Sequence, residues 1–273
     1  MNTVRCPGVA LSMTAQSWED FRAERNRSLA APHGWLSLTS LQWLPGEPGP
    51  LDGLPGLWSA ADGVARVSAA AADGLLLVRG GSAKQNQAVD GTIEARLAED
   101  ESLNWLRSGT VLLELAMRGG AYAIRTRDSQ APALQGFSGV PVFDYDSEFA
   151  LTGQFHRFPE AQERDIATAN PRVSGRASFI GEVVFELDGQ RQTLLAQKNG
   201  SGLLLNFRDA SNGSETAGWR FLSTEAPDAD GKVLLDFNFS LNWPSGFSGF
   251  GTCPHPVPEN TLPVRIAAGE KLL

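Results

Sequence analysis

A carboxylate and an amide flank one aromatic residue in the last fifth of the sequence, at Asp236, Phe237 and Asn238. If this stretch is a strand, alternation places Asp236 and Asn238 on one face and Phe237 on the other. A carboxylate inside an apolar strand needs partners, because burial disfavours its charged form. Asp236 and Asn238 are therefore predicted either to hold the following Pro-rich loop through its backbone groups or to form the polar wall of a pocket.

Three arginines are candidate cationic partners for such a pocket. Arg125 and Arg127 share one side of an alternating run, and Arg220 precedes Phe221 in another apolar run. A guanidinium group binds carboxylates and phosphates through paired hydrogen bonds, so the sequence favours a small polar or anionic ligand. Further polar residues of the late segments complete the predicted ligand-binding set: Asp209, Asn238, Asn242, Glu259 and Asn260.

Cys253 introduces a catalytic alternative, because a loop thiol near His255 becomes nucleophilic if a neighbouring imidazolium favours its thiolate. In that hypothesis the protein is a small-molecule hydrolase, with Asp236 as general base and Cys253 or water as nucleophile. A cysteine among Pro, Phe and Gly is also typical of a small buried apolar residue. The sequence leaves open whether the protein is an enzyme.

Several kinds of catalytic machinery are missing from the sequence. It contains no phosphate-binding GxxxxGK[ST] loop, no dinucleotide-binding GxGxxG unit, and no HExxH or paired CxxC motif for zinc. The run from Gly246 to Gly249 approaches the GxSxG nucleophile motif without matching it. We therefore predict neither a cofactor nor a metal site.

The elements that must position these residues are predicted to be mainly strands. Trp18, Phe21 and Leu29 are spaced among charged residues as in an amphipathic helix over residues 16–30. Many short apolar runs, separated by Gly and Asp, follow it, and Asp188-Gly189 is a hairpin-turn signal. The sequence thus predicts an all-β fold, mainly an antiparallel sandwich or barrel, with one N-terminal α-helix.

The predicted organisation has three parts. Residues 1–15 form a flexible N-terminus, residues 16–138 the helix and a β-rich half, and residues 139–273 a second β-rich half that contains the Pro-rich loop. The connector between the halves is rich in Pro and Gly. The two halves are expected to pack as one unit.

Composition limits the partners. The net charge of −8 argues against nucleic acid, and no apolar run is long enough for a membrane span. The two cysteines imply no disulfide framework, which fits a reducing, cytoplasmic location. A structural or partner-binding role is a further alternative, which an exposed apolar patch around Trp35, Trp43 and Trp58 would favour. The sequence does not indicate the oligomeric state.

The late motifs resemble family 1684 of the bacterial domains of unknown function, DUF1684. Members of that family resemble one another in six motifs: an F-x-D strand end, a G-x-R-F-L strand, a D-F-N segment, a T-C-P loop end, E-N-x-L and a final A-G-E. Here these are Phe207 to Asp209, Gly218 to Leu222, Asp236 to Asn238, Thr252 to Pro254, Glu259 to Leu262 and Ala268 to Glu270. The resemblance implies no established activity, cofactor or substrate.

One departure from the family pattern affects the cysteine chemistry. Where relatives are expected to carry N-P-P-C-A-F, this sequence has Asn242 to Phe247 with Ser245 at the cysteine position. A dithiol or two-thiolate site is therefore not expected in this loop. The leading hypothesis from the sequence remains a β module that binds a small polar or anionic ligand.

Overall fold

A computed structural model describes residues 15–78 and 87–273. The predicted flexible segment, residues 1–15, lies outside these residues apart from Ala15, where the first helix begins. Cys6 also lies outside them. Neither helix in the described part of the chain has the length and apolar character that a membrane span requires.

The chain divides into two compact units. The first contains Arg27–Phe137, and the second contains the helix up to Asn26 together with Ser138–Leu273. The sequence analysis placed this helix with the N-terminal half, whereas its residues up to Asn26 group with the C-terminal unit. That the two halves pack as one unit stays a prediction.

The first unit is built from two antiparallel sheets. One sheet has the order β1-β10-β9-β8-β5-β6 and the other the order β2-β3-β4-β7. The strands are β1 Leu38–Trp43, β2 Gly49–Leu51, β3 Leu54–Ala61, β4 Val64–Ala69, β5 Leu76–Leu77, β6 Gln87–Ala88, β7 Gly91–Ala95, β8 Ser102–Ser108, β9 Val111–Arg118 and β10 Ala121–Asp128. A single helical turn, α2 (Pro132–Gln135), follows them, with its proline at the first position.

The core of the first unit receives side chains from both sheets. Trp58 is fully buried and lies edge-on to Trp105, with ring centroids 6.0 Å apart. Leu113, Leu115 and Ile124 enter the same apolar cluster. Since Trp58 is in the core, it cannot contribute to the exposed apolar patch that would have favoured a partner-binding role.

The second unit is a seven-stranded antiparallel sheet with the order β16-β11-β12-β13-β14-β15-β17. Its strands are β11 Ala150–Ile166, β12 Gly175–Leu187, β13 Gln190–Asn199, β14 Gly202–Phe207, β15 Arg220–Ser223, β16 Lys232–Asp236 and β17 Leu241–Asn242. Side chains of the late segment that includes Leu262 and Ile266 complete the core on one face of this sheet. The all-β prediction with an N-terminal helix is confirmed.

The hairpin between β12 and β13 shows how local sequence fixes the strand register. Asp188 and Gly189 form a two-residue turn with φ angles of 55° and 68°. Two positive φ values are typical of the type I′ turn, whose twist matches that of antiparallel strands. Leu187 therefore pairs with Gln190, and alternate side chains of both strands enter the core.

The N-terminal helix α1 (Ala15–Leu29) attaches to the second unit through residues at helical spacing. The Trp18 indole donates to the carbonyl of Asn238 over 3.1 Å, and the Phe21 and Phe239 rings lie 4.9 Å apart. Arg22 and Arg25 continue the same stripe. This face of α1 is thus half aromatic and half cationic.

Candidate functional site

Arg220 points into the interior of the second unit and is fully buried. Its Nη2 lies 2.7 Å from Asp209 Oδ2 and 3.0 Å from the carbonyl oxygen of Ile266, and Nη1 donates to the carbonyl of Ala268. Burial lowers the pKa of Arg220, and the negative charge of Asp209 opposes that shift. Arg220 therefore fastens the late segment 266–268 to β15.

Both carboxylate oxygens of Asp209 accept hydrogen bonds from protein groups. Its Oδ1 accepts the backbone and hydroxyl groups of Ser211, at 2.8 and 2.5 Å, and the backbone N–H of Ile266 at 3.2 Å. Its Oδ2 accepts Arg220. A carboxylate with four donors is a strong structural tie.

Glu270 forms the second buried ionic group. Its carboxylate lies 3.2 Å from Arg22 Nη1 and 3.0 Å from Arg25 Nε, and it accepts the backbone N–H of Asn242 at 2.7 Å. The Glu270 side chain is 0% exposed, so these donors replace its water. This group joins α1 to β17.

Asp236 and Asn238 do not share a strand face, so that prediction is wrong. β16 ends at Asp236, and Phe237–Phe239 form a 3-10 turn that Asp236 caps by accepting the N–H of Asn238 at 3.0 Å. An aspartate at this position satisfies a turn donor that the strand ladder cannot reach. Asn238 in turn bonds both backbone groups of Asp146, rather than those of the Pro-rich loop.

Asp236 has uncharged partners. Besides two bonds from Asn238, it accepts the Tyr145 hydroxyl over 3.3 Å, and it is 1% exposed. Burial raises the pKa of Asp236, and the hydrogen bonds from Asn238 and Tyr145 oppose that rise. Within the second unit its predicted cationic partner, Arg220, is paired with Asp209 instead. A role as general base stays a prediction.

The side chains of Asn242 and Asn260 also form hydrogen bonds with backbone groups. Asn260 makes three side-chain bonds, two with Leu195 and one with the carbonyl of Asn206. The Asn242 amide donates to the carbonyl of Lys271, while its Oδ1 is buried without a partner among the described residues. Glu259, by contrast, is exposed.

Arg125 and Arg127 lie in the first unit on neighbouring positions of one face of β10. Both pair with Glu114 of β9, at 3.1 Å for Arg125 and 2.6 Å for Arg127. Arg127 also lies over the Trp35 ring, 4.8 Å from its centroid. Their predicted role in ligand binding remains to be tested.

Cys253 is buried and its carbonyl accepts the N–H of Ala169. The His255 ring packs on Trp219, with centroids 4.1 Å apart and planes at 59°. Burial lowers the pKa of His255, and the charge of Arg208 lowers it further. A neutral imidazole does not favour a thiolate, so this geometry gives the nucleophile hypothesis for Cys253 no support.

The sequence analysis missed a group of residues where β14 ends and β15 begins, on the side of the sheet turned away from the main core. In the antiparallel register Phe207 pairs with Arg220, which by extension sets Arg208 opposite Trp219. The Arg208 Cζ lies 6.0 Å from the Trp219 ring centroid. We call Arg208, Trp219 and His255 the cation–indole site.

The cation–indole site contains unused donors. The Trp219 Nε1 is buried and has no acceptor among the described residues. Arg208 donates through Nε to the carbonyl of Gly218 at 3.3 Å, and its two terminal nitrogens have no partner in the part of the chain that the structure describes. Alternation in the sequence indicated that Trp219 and Phe221 share one face, but only the inward position of Arg220 shows that this face is the outer one.

Two shallow surface clefts lie elsewhere. One, of about 570 Å³, is lined by residues of the first unit that include Asp73 and Asp90. The other, of about 470 Å³, lies on β11, β12, β13 and β16 and includes Arg191 and Lys232. Neither is lined by a residue predicted from the sequence. Within the described residues, no group of three or more His, Cys, Asp or Glu side chains is arranged to hold a metal ion.

Comparison with known proteins gives a family match over the C-terminal half. The model of a family described as "Protein of unknown function (DUF1684)" matches residues 135–271. No curated protein matches the chain significantly. An uncharacterized protein of Haloarcula marismortui, known from a solution NMR structure, is 25% identical over 50% of this chain and 78% of its own, with a TM-score of 0.42.

Proposed function

Because the chain belongs to the DUF1684 family, whose function is unknown, we propose a function from the side-chain geometry: the C-terminal unit binds a small polar or anionic ligand at the cation–indole site. In this proposal Arg208 supplies the charge, Trp219 donates a hydrogen bond, and His255 completes the wall. Arg220 and Asp209, which the sequence analysis predicted as ligand contacts, position the strands that carry the site.

The observation that carries the proposal is the unpaired indole N–H of Trp219. A buried donor without an acceptor costs about 1–3 kcal/mol. The Nε1 atom is covered in the unliganded protein, so a ligand oxygen that reaches it after a neighbouring side chain moves offsets part of that cost. The nearby indole of Trp243 is a contrast, because its N–H is satisfied by Asn206 Oδ1 at 2.9 Å. Of these two indoles, only that of Trp219 has an N–H without an acceptor among the described residues.

Charge supports an anion at this position. Arg208 has two terminal nitrogens to offer, and guanidinium bonds to anionic oxygens are roughly twice as strong as neutral ones. His255, with its lowered pKa, is neutral near pH 7 and carries one ring N–H donor. Bound negative charge would also favour the imidazolium, which adds attraction as the pH falls.

We further propose a cytoplasmic location and a small molecule, rather than nucleic acid, as partner. The two cysteines and the net charge of −8 support these assignments. Cell fractionation of the natural host tests the first. Binding of the protein to DNA or RNA, with an affinity that falls as the salt concentration rises, would contradict the second.

The experiment is thermal unfolding and calorimetric titration with inorganic phosphate and with acetate. At ten times its Kd, a ligand of the folded state stabilises by about 1.4 kcal/mol. We expect Arg208→Gln and Trp219→Phe to weaken binding, while Arg176→Gln, which removes a charge from an exposed pair of the same unit, leaves it unchanged.

A second comparison separates binding from folding. Trp219→Phe removes an unused buried N–H, which favours the folded state, and part of the ring contact with His255, which disfavours it, so the unliganded protein should stay close to wild type in stability. Trp243→Phe removes a bond in use and leaves Asn206 Oδ1 unpaired, so it should lower stability. The proposal would be overturned if Arg208→Gln and Trp219→Phe bound each ion as tightly as wild type does. It would also be overturned if none of the three proteins bound phosphate or acetate.

A further inference from the structure

Aromatic rings continue from the cation–indole site along the outer face of the sheet. Phe221 follows Trp219 at the strand period, and the Phe221 and Trp243 rings lie 4.5 Å apart with planes at 42°. Since Arg220 pairs with Asn242, Trp219 and Trp243 stand opposite each other across β15 and β17. Trp219, Phe221 and Trp243, with the His255 ring, form what we call the aromatic face.

The aromatic face is neither core nor fully open surface. All four of its rings are half-buried, as is Arg208. The main core lies on the opposite side of the same strands and contains Phe207 and Leu222, while the smaller apolar cluster on this side contains Val257 and Leu195 and none of these rings. Adjoining half-buried rings beside a cation are typical of a surface that recognises a ligand.

The Trp243 ring is held in place before any ligand arrives. The Trp243 indole bonds Asn206 Oδ1, and the Asn206 amide donates to the carbonyl of Pro254 at 3.1 Å. Asn206 is 2% exposed, so this chain of bonds is shielded from water. Rings fixed in this way lose little entropy when a ligand binds.

We infer that the aromatic face selects a planar aromatic anion, that is, a flat π-system carrying a carboxylate or phosphate group. The inference rests on the proposed function and adds the chemical class of the ligand. The flat ring packs against Trp219, Phe221 and Trp243, while the anionic group meets Arg208 and the Trp219 N–H. Contacts between aromatic rings favour binding beyond the apolar area they bury, which predicts a preference of about threefold to tenfold over an aliphatic ring.

The test compares three probes on the full chain by isothermal titration: benzoate, cyclohexanecarboxylate and inorganic phosphate. The two carboxylates have the same charge and similar size, but the cyclohexane ring is not planar and has no π-face. We expect wild type to bind benzoate about threefold to tenfold more tightly than cyclohexanecarboxylate. In Phe221→Leu, which removes one of the three rings, that ratio should fall below the wild-type value, while phosphate affinity stays at the wild-type value.

The outcomes separate this inference from the proposal beneath it. If phosphate and both carboxylates bind and the two carboxylates bind equally, the anion site stands and the planar selectivity is refuted. If none of the three binds, both are refuted. The wild-type comparison decides between these outcomes even if Phe221→Leu folds poorly, and Phe221→Tyr, which keeps a ring, should retain the wild-type ratio.

Discussion

The buried pair between Arg220 and Asp209 has a matched exposed pair in the same unit. Arg220 Nη2 and Asp209 Oδ2 are 2.7 Å apart with both side chains 0% exposed. Arg265 Nη2 and Glu215 Oε2 are 2.6 Å apart, with side chains 53% and 39% exposed. Both pairs join a guanidinium to a carboxylate at similar distances and differ strongly in burial, although Asp209 also accepts three bonds from Ser211 and Ile266.

We predict that Asp209→Asn lowers the free energy of unfolding of the second unit by about 3–5 kcal/mol, because it leaves a buried guanidinium without its counter-ion. In wild type the Asp209 carboxylate accepts four hydrogen bonds. The asparagine would place an NH₂ group, which cannot accept, opposite some of these donors. The free energy of unfolding of Glu215→Gln should equal that of wild type within experimental error, because water solvates both side chains of this exposed pair.

The assay is urea unfolding followed by far-ultraviolet circular dichroism, with hydrogen exchange of peptides that cover β14 and β15 to assign the transition. For a urea slope of about 1–3 kcal/mol/M, a loss of about 3 kcal/mol moves the midpoint by about 1 M or more. Equal midpoints for Asp209→Asn and Glu215→Gln would refute the reasoning, since burial would then not determine the strength of the pair.

Three further predictions concern other polar groups of the second unit. Asp236→Asn keeps the hydrogen bonds to the turn and removes a buried charge. The pKa of Asp236 in the folded protein is raised above its ordinary value of 3.8. Wild-type stability therefore falls as the pH rises from about 4 through that folded-state pKa. The variant should therefore be at least as stable as wild type at pH 7 and lack this slope, and unfolding of the variant at pH 7 would contradict the argument. Arg208→Gln should raise the pKa of His255, measured by NMR titration, since it removes a neighbouring positive charge, and an unchanged titration would show that the two groups do not interact. Asn260→Ala should lower unfolding free energy by roughly 2–3 kcal/mol in urea titrations because it leaves buried backbone groups unpaired, whereas Asn199→Ala, at an exposed bond, should change little.

The sequence predicted those parts of the fold that local patterns determine. Alternation and turn residues predicted the strands, and Asp188-Gly189 predicted one hairpin, because its backbone conformation is a property of those two residues alone. The spacing of Trp18 and Phe21 predicted the first helix for the same reason. Nothing in these patterns requires knowledge of distant residues.

The site was harder to predict because its geometry depends on pairs that are distant in sequence. Arg220 was interpreted as a ligand contact, since arginine is seldom fully buried, and only its pairing with Asp209 and the carbonyls of residues 266 and 268 explains why it points inward. That inward orientation is what turns Trp219 outward. The strand assigned through Asp236 and Asn238 failed because an aspartate that caps a turn has the same local pattern as one in a strand.

The contact between α1 and Glu270 has a consequence for biosynthesis. The partner of Arg25 lies 245 residues further along the chain, and the late segment supplies Leu262 and Ile266 to the core of the same unit. Strand pairs of residues 27–137 are mostly short-range and can form while the ribosome is still translating. The contacts of Arg22 and Arg25 with Glu270 cannot form until residue 270 has left the exit tunnel, so the cationic part of the α1 stripe lacks this partner throughout that interval. A translational pause before this point would lengthen the time in which that stripe is open to chaperones.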